Sequence, residues 1–554
     1  MGPRHYWQAP LPSPAPPSHT GADDPCRSSC MTRILPWLIA SLTLACAAPM
    51  KPRPVDRDLQ ERVERLLRPV SGDLEDFRRN ELRYPEPAAP EQPPAAGAGT
   101  SVDVPRTRVM GLADCLAAAF ETNRDFISQR EGLVLAALSL IGARNTFDPQ
   151  LSALLAASIG DTDSSAMSQG ASASASLSQI LRDGGVLTLD GLTAWNGLDG
   201  DGDFDTSLSL RLAQPLLRGS GWLTSHESLI QAERSLIYAI RDFELFRGDL
   251  SIDVAARYYS LVQQQQSIAN LETNLEGFVF ARRQAQAVYA LGTTSELDIL
   301  RARRNELGAQ NALLEAREGY QLDRDQLKVF LGIPIEESVR ITGQEPQFVD
   351  VGFDLGSALE VALVNRLDYL TRCDQLQDLE RDVRLARDGL RSDLDLSAGI
   401  GIAGSPTGGF LDQHVDEESW DIGVTWSPPL NRVAEKNSHR AAQIRFDRAV
   451  RSLDQFEQTL RIEIRRTFRE LKRRTSSLDI QRELIADQER NLKVARLRNE
   501  AGEISNRDVV EASESLLEAR NSLINEKVSY EIARLRMLWQ LGILFVDERG
   551  MVQG

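Results

Sequence analysis

The chain has 554 residues, of which 80 are acidic and 63 are basic, so its net charge is −17. This balance argues against a nucleic-acid-binding protein, which would present a basic face. The five cysteines and five histidines are scattered without a CxxC motif or a Cys/His cluster, so neither a metal site nor another cofactor is expected. Beyond the N-terminal region no uninterrupted apolar run reaches about 18 residues, and no transmembrane helix is predicted there.

The N-terminal region carries an export signal, and we assign residues 1–45 to a pre-sequence and signal peptide. Its expected start is Met31, because a positive charge and then the apolar core Ile34–Leu44 follow that residue. Two cleavage sites fit. A lipobox-like sequence would place a lipid on Cys46, and an A-x-A site would end at Ala47; we favour the first, and both take the chain out of the cytoplasm.

Residues 46–106 form an N-terminal extension that ends in a Pro/Ala/Gly-rich linker, which is expected to be extended. The rest of the chain is a tandem duplication. The stretch Tyr289–Ala302 recurs as Arg498–Ala512 at an offset of 210 positions, and the helix endings Leu331–Ile333 and Leu541–Ile543 have the same offset.

The duplication defines a first repeat over 107–345, a second repeat over 346–547 and a C-terminal tail over 548–554. Each repeat is predicted to contain a helix, alternating strands, a long helix, a glycine-containing break and a return helix. Apolar residues at steps of three, four or seven predict the long helices as coiled-coil elements. The predicted helices are Gly111–Asn145, Leu223–Ala290, Ser295–Leu331, Asn431–Ala501 and Ser505–Leu541.

Apolar and polar residues alternate with a period of two over Leu208–Leu212, Leu394–Ile402 and Trp420–Trp426, which predicts strands with one apolar face. A weaker alternation over Ala171–Ile180 and Val186–Trp195 predicts a further hairpin. The strands alone fit a soluble sandwich and a membrane barrel equally well. The paired tryptophans at the ends of the last strand suit the interfacial belts of an outer-membrane barrel.

The acidic, glycine-rich segment Gly197–Asp205 is predicted to be a solvated external loop. It lacks the ligand spacing of an EF-hand, so calcium binding is the less favoured interpretation.

The order of these elements, together with Gln214–Gly219 after the strand, Gly292–Ala302 at the break and the paired Leu-Gly-Ile endings, resembles the TolC family of outer membrane efflux proteins. The resemblance covers about 107–547. It implies an α+β fold that is mostly α: a duplicated helix–strand–strand–helix unit whose long helical hairpins form a periplasmic α-barrel. In that family each subunit of a homotrimer gives four strands to one twelve-stranded barrel in outer membrane lipid. The hairpin over 171–195 is additional, and it either joins the barrel or folds outside it.

The resemblance further implies a passive channel for efflux or type I secretion, which works with a periplasmic adaptor (a membrane fusion protein) and an inner-membrane pump of the RND or ABC type. It places the helical breaks at the periplasmic tip, where the implied tip residues are Gly292, Asp298, Arg301 and Gly502. Asp508 and Glu511 match the family's acidic ring positions at the pore constriction. Their alternative role is plain helix capping and dipole complementation at a helix N-terminus. Arg301 is hypothesised to pair with an acid on a neighbouring helix.

An exported coiled-coil structural or tethering lipoprotein is the alternative function. The alternating strands in both repeats argue against it, because a tether has no use for them. An enzyme is disfavoured, since the sequence has no nucleophile–base pair, metal cluster or phosphate-binding loop. The exported substrate is not encoded in any motif of the chain.

Overall fold

The computed structural model describes residues 108–162, 165–198, 201–290, 295–346, 352, 354–404, 417–501, 503–547 and 552–553. The predicted signal peptide, Cys46 and the Pro-rich linker lie outside the described residues, and so do Gly292 and Gly502 of the two breaks.

In the first repeat, helices flank a run of strands. The elements in chain order are β1 (Arg108–Met110), α1 (Leu112–Thr122), α2 (Arg124–Asn145), β2 (Gln150–Thr162), β3 (Ser165–Ile180), β4 (Val186–Leu198), β5 (Asp201–Pro215), α3 (Trp222–Ser225), α4 (Glu227–Ala290), α5 (Glu296–Leu331) and β6 (Val339–Ile341). The helix predicted to begin at Gly111 is divided at Asn123, whose Oδ1 accepts a hydrogen bond from Phe126 N at 2.8 Å and caps α2.

The second repeat has the same order with fewer strands. Its elements are α6 (Leu355–Asn365), α7 (Leu367–Asp388), β7 (Asp393–Gly404), β8 (Glu417–Ser427), α8 (Val433–Glu500), α9 (Asn506–Gln540), β9 (Phe545–Val546) and β10 (Val552–Gln553). The predicted long helices are confirmed to within a few residues at each end. With 64 and 68 residues, α4 and α8 are each about 100 Å long at the helical rise.

The large strands form one antiparallel sheet in the order β2-β3-β4-β5-β7-β8. The additional hairpin joins this sheet, since β3 and β4 pair continuously from Ser168–Leu198 to Ile180–Val186. The external loop predicted over Gly197–Asp205 is wrong for its described residues: β4 runs to Leu198 and β5 begins at Asp201, so residues 197–198 and 201–205 belong to two paired strands. In the described part of the chain, six strands therefore lie in this sheet, where the family resemblance implied four.

The register of the sheet places one apolar face across all six strands. Because side chains alternate between faces and paired residues share a face, Trp420, Ile400 and Leu210 lie on the same side. The side chains on this face are strongly exposed in the single chain: 77% for Trp420 and 82% for Leu155 on the other edge strand. The opposite face carries small and polar residues, including Ser152, Ser172, Ser174, Ser176, Asp421 and Thr425.

The long helices lie side by side in the order α5-α4-α9-α8. Arg317 Nη2 of α5 donates to Glu272 Oε1 of α4 at 2.6 Å, and Arg520 Nη2 of α9 donates to Glu489 Oε1 of α8 at 2.9 Å. Between the repeats, α4 and α9 meet through smaller groups, where Ser513 Oγ donates to Asn274 Oδ1 at 2.8 Å. The two repeats thus form one continuous layer of four long helices.

Two equivalent glycines allow the end of each return helix to pack closely against the end of a short helix. Gly332 ends α5 with φ +77°, and a Cβ there would lie 2.1 Å from the carbonyl oxygen of Thr122 at the end of α1. Gly542 follows α9 with φ +69°, and a Cβ there would lie 2.8 Å from the backbone carbonyl of Asn365 at the end of α6. Only glycine combines the left-handed backbone with this close approach.

Candidate functional site

The two return helices begin with the same capping arrangement. Ser295 Oγ donates to Asp298 Oδ2 at 2.8 Å at the start of α5, and Ser505 Oγ donates to Asp508 Oδ2 at 2.8 Å at the start of α9. The backbone N–H groups of the two serines donate to the same carboxylate oxygens, at 3.4 Å and 2.9 Å. These contacts close a capping box, which satisfies backbone donors that a helix N-terminus leaves free. The duplication therefore extends to the hydrogen bonds of the breaks.

The residue one turn further on has opposite charge in the two repeats. Arg301 lies three residues after Asp298, and its Nη1 is 3.4 Å from Asp298 Oδ1 on the same helix. In the single chain Arg301 therefore pairs with Asp298 on its own helix and not, as hypothesised, with an acid on a neighbouring helix. Glu511 occupies the equivalent position after Asp508, and both carboxylates are exposed. The first break carries a self-neutralised pair, and the second presents two carboxylates on one helix face.

The pKa of Asp508 is held below its usual range, first by the hydrogen bond from the Ser505 side chain and then by that from the Ser505 backbone. The carboxylate is therefore ionised at neutral pH even with Glu511 nearby. Helix capping by Asp508 is present in the structure. It leaves the carboxylate exposed at the helix start, so capping and a role in a pore are compatible.

Small apolar clusters support the helix ends. Ala512 and Leu516 of α9 pack against Leu492 and Ala495 of α8, and Val510 packs against Phe278 and Ala309 of the first repeat. The acidic side chains of α9 point away from these contacts, since Glu511 is exposed and its neighbours Val510 and Ala512 are buried. Packing thus fixes the helix face on which the carboxylates lie.

A denser ionic cluster joins the repeats at the other end of the long helices, next to the sheet. Arg381 of α7 lies between Glu227 Oε2 of α4 at 2.9 Å and Asp378 Oδ1 at 3.0 Å, and Asp378 also pairs with Arg234 of α4. Arg241 Nη1 lies 2.7 Å from an oxygen of Asp374 on α7, which adds a further pair between the same helices. We call these residues the strand-end cluster. Sequence reasoning missed it, because its charged residues are far apart in the chain and have no motif spacing.

The capping serines were also missed as individual residues, although the Ser-x-x-Asp spacing at 295–298 and 505–508 is a recognisable signal. Asp298, Arg301, Asp508 and Glu511 lie at the helix starts that the sequence predicted for them. In the described part of the chain, no group of three or more His, Cys, Asp or Glu side chains is arranged to hold a metal ion.

One described helix, Arg124–Asn145, has the length and mean hydropathy of a membrane-crossing segment. Length and composition do not distinguish such a segment from a helix that packs on a partner. This helix, α2, lies along α4, where the rings of Phe126 and Phe243 are 5.5 Å apart.

Comparisons with known proteins agree with this architecture. Residues 358–542 match the family model described as outer membrane efflux protein. Outer membrane protein TolC of Escherichia coli is 23% identical over 356 residues, which cover 61% of this chain and 70% of TolC. The fold matches the outer membrane channel CmeC of Campylobacter jejuni with a TM-score of 0.61 and 18% identity, over 78% of this chain and 85% of CmeC. It matches VceC of Vibrio cholerae with a TM-score of 0.61 and 17% identity, over 78% of this chain and 96% of VceC. The duplicated helical hairpins, the shared antiparallel sheet and these matches show that the chain is similar to the TolC-like outer membrane efflux proteins, whose family model matches residues 358–542.

Proposed function

We propose that the protein is the outer-membrane channel of a tripartite efflux or type I secretion system and conducts solutes passively from the periplasm to the exterior as a homotrimer. The observation that carries the proposal is the joining of two helical hairpins to one sheet whose apolar face is continuous and exposed. A layer of helices about 100 Å long suits a conduit across the periplasm.

The apolar face fits outer membrane lipid. Trp420 and Trp426 stand at the two ends of the apolar stretch of β8, six residues or about 20 Å apart along the strand. This span approaches the apolar band of about 25 Å that outer-membrane barrels present between their aromatic girdles. A single chain leaves the edges of β2 and β8 unpaired, and lipid does not tolerate unpaired backbone groups. Closure with sister copies satisfies those edges.

The breaks before α5 and α9, whose sequences include Gly292 and Gly502, form the periplasmic tip in this proposal. Asp508 and Glu511 of three subunits supply six carboxylates at the pore constriction, which favours cations and binds multivalent cations. Asp298 and Arg301 neutralise each other at the neighbouring helix start, so the negative charge is concentrated on α9.

The channel has no energy source of its own, since the sequence contains no Walker A motif. The proposed partners are therefore a periplasmic adaptor that docks near the tip and an inner-membrane pump of the RND or ABC type. Lipidation of Cys46 would add an anchor in the outer membrane. Mass spectrometry of the mature N-terminus tests it, because a diacylglycerol on Cys46 adds a defined mass that cleavage after Ala47 does not.

Purified protein in planar lipid bilayers tests the channel. We expect trimers that conduct ions, and a multivalent cation added on the tip side should block the current. Arg301→Ala should alter conductance, since it frees the carboxylate of Asp298 beside the proposed ring. An elongated monomer that does not conduct would refute the channel and favour the tethering lipoprotein.

A further inference from the structure

The first repeat is longer than the second within its strands. The start of α6 lies 243 residues after the start of α1 (Leu355 against Leu112), whereas the start of α9 lies 210 residues after the start of α5 (Asn506 against Glu296). The difference accumulates between α2 and α4, where the first repeat has four strands and the second has two. The first repeat thus carries one hairpin more than a simple duplication requires.

The extra strands, β2 and β3, are followed by a turn that docks on another part of the chain. Leu181 N donates to Gly185 O at 2.7 Å and closes the turn between β3 and β4. Ser225 Oγ, at the end of α3, donates to Arg182 O at 3.0 Å. Gly184 has φ +87°, and a Cβ there would lie 2.9 Å from Gly219 O. The turn is therefore docked on the segment that leads into the long helix, at the level where the other strands meet their helices.

Both faces of the extra strands continue the pattern of their neighbours. On the apolar side, Leu151 and Leu155 of β2 are 76% and 82% exposed, as expected for residues that meet lipid. On the other side, β3 places serines at every second position from 172 to 178, and Ser176 Oγ donates to Asp190 Oδ1 of β4 at 2.6 Å. A hairpin that folded outside the barrel would not be expected to have one apolar face and one hydroxyl-bearing face in register with the rest of the sheet.

The edges of the six-stranded sheet are complementary. Strands β2 and β8 have 13 and 11 residues, and they run in opposite directions because the number of antiparallel strands is even. Neither strand contains the lysine or proline that commonly protects an exposed edge. A copy of the same chain therefore presents to β8 a strand of matching length, direction and face.

We propose that β8 of each subunit pairs with β2 of the next, so that the trimer closes an eighteen-stranded barrel. The proposal rests on the trimeric channel of the proposed function. A single six-stranded closure is excluded because even eight strands enclose only a space that side chains fill. At a strand spacing of about 4.8 Å and a tilt of about 40°, eighteen strands give a backbone diameter of about 36 Å, half as wide again as twelve strands of equal tilt. The outer mouth then has the strand number of porins that hold an aqueous channel.

Cysteine pairs on the lumenal face distinguish the two closures. Ser152→Cys on β2 and Thr425→Cys on β8 lie on the edge strands, near their helix ends. Thr188→Cys on β4 is the matched control, because β4 is an inner strand of six but becomes the edge if the β2–β3 hairpin is left out. Cys373 is replaced by serine in all variants. Cys115 can remain, since burial and then the charge of Asp114 raise the pKa of its thiol to about 12.

A short bis-maleimide should cross-link Ser152→Cys with Thr425→Cys between subunits of the purified trimer, giving dimers and trimers under denaturing conditions. Thr188→Cys with Thr425→Cys should stay monomeric. The reverse pattern in a conducting trimer would overturn the wider barrel and leave the channel intact, and so would the absence of both cross-links. A non-conducting monomer would overturn the channel and the barrel together.

Deletion of residues 150–185 gives a second measurement. It joins Pro149 to Val186, both at the helix end of the sheet, and removes β2, β3, the link between them and the turn over 181–185 that precedes β4. The largest polyethylene glycol that enters the channel from the external side should become smaller, because the backbone diameter of the barrel falls by about a third. An unchanged size limit would overturn the proposal, and if the shortened chain does not assemble, the cross-linking result decides.

Discussion

The contact between the ends of α1 and α5 can be tested by measuring the stability of the protein after a methyl group is added at Gly332. Gly332→Ala introduces a Cβ at a residue with φ +77°, and this backbone conformation costs an alanine about 1–2 kcal/mol. The Cβ also overlaps the carbonyl oxygen of Thr122, 2.1 Å away, so the two helix ends must separate. Separation weakens the hydrogen bonds from Thr122 Oγ1 to Leu331 O and from Asn123 Nδ2 to Phe330 O, each worth about 1 kcal/mol. We expect a total loss of about 3–4 kcal/mol in the free energy of unfolding.

Gly219→Ala is the matched control, because Gly219 has the same φ of +77° and open space around the position of a Cβ. It should lose only the backbone contribution of about 1–2 kcal/mol. Both free energies are measured by urea unfolding of the detergent-solubilised protein, followed by far-ultraviolet circular dichroism at equal protomer concentration. Equal losses in the two variants would refute the argument from close approach.

Three further predictions concern the tip and the sheet. Glu511→Gln removes half of the carboxylates of the proposed ring. The concentration of a multivalent cation that blocks half of the bilayer current should therefore rise about tenfold, which is equivalent to ~1.4 kcal/mol of binding free energy. An unchanged blocking concentration contradicts the ring. The lowered pKa of Asp508 means that its contact with Ser505 stabilises the fold fully above about pH 4 and is lost as the pH falls below that value. Ser505→Ala should therefore reduce the acid-induced loss of hydrogen-exchange protection at the start of α9, and a loss equal to that of the parent protein would count against the contact. Ile422→Arg on the apolar face should cost about 2–4 kcal/mol of folding free energy in the membrane and lower the yield of trimer extracted from membranes. Asp421→Arg on the opposite face should assemble in normal yield. Equal yields of the two variants would show that the apolar face does not meet lipid.

The long and return helices could be predicted well because the sequence contains each of them in both repeats. A heptad-like spacing over more than 60 residues leaves little ambiguity about the long helices, and the return helices start next to Ser295 and Ser505, where the sequence predicted them to begin. The segment Gly197–Asp205 was misread for a physical reason. Its acids and glycines are typical of loops, but Phe204 is paired with Trp195 on the apolar face and Asp205 with Ala194 on the other, so the period of two was present beneath a loop-like composition.

The strand number and the site were harder to predict. Strand β2 has leucines at both parities, Leu154 and Leu155, which blurs the alternation that identifies a strand from sequence. The acidic positions at 508 and 511 were found through the family resemblance. The pairing of Asp298 with Arg301 on its own helix follows the i,i+3 spacing, whereas the sequence analysis expected a partner on a neighbouring helix.

The strand-end cluster has a mechanical consequence. Arg381, Glu227 and Asp378 are largely shielded from solvent, so their ion pairs are screened less than surface pairs, which are worth about 0.2–1 kcal/mol each, and together they hold α4 and α7 beside the sheet. At the far end, the repeats are linked by neutral contacts such as that of Ser513 with Asn274, each worth only about 1 kcal/mol. The two repeats are thus tied together more firmly beside the sheet than at the breaks, so thermal motion should change the spacing of the helix starts more than the spacing of the strands.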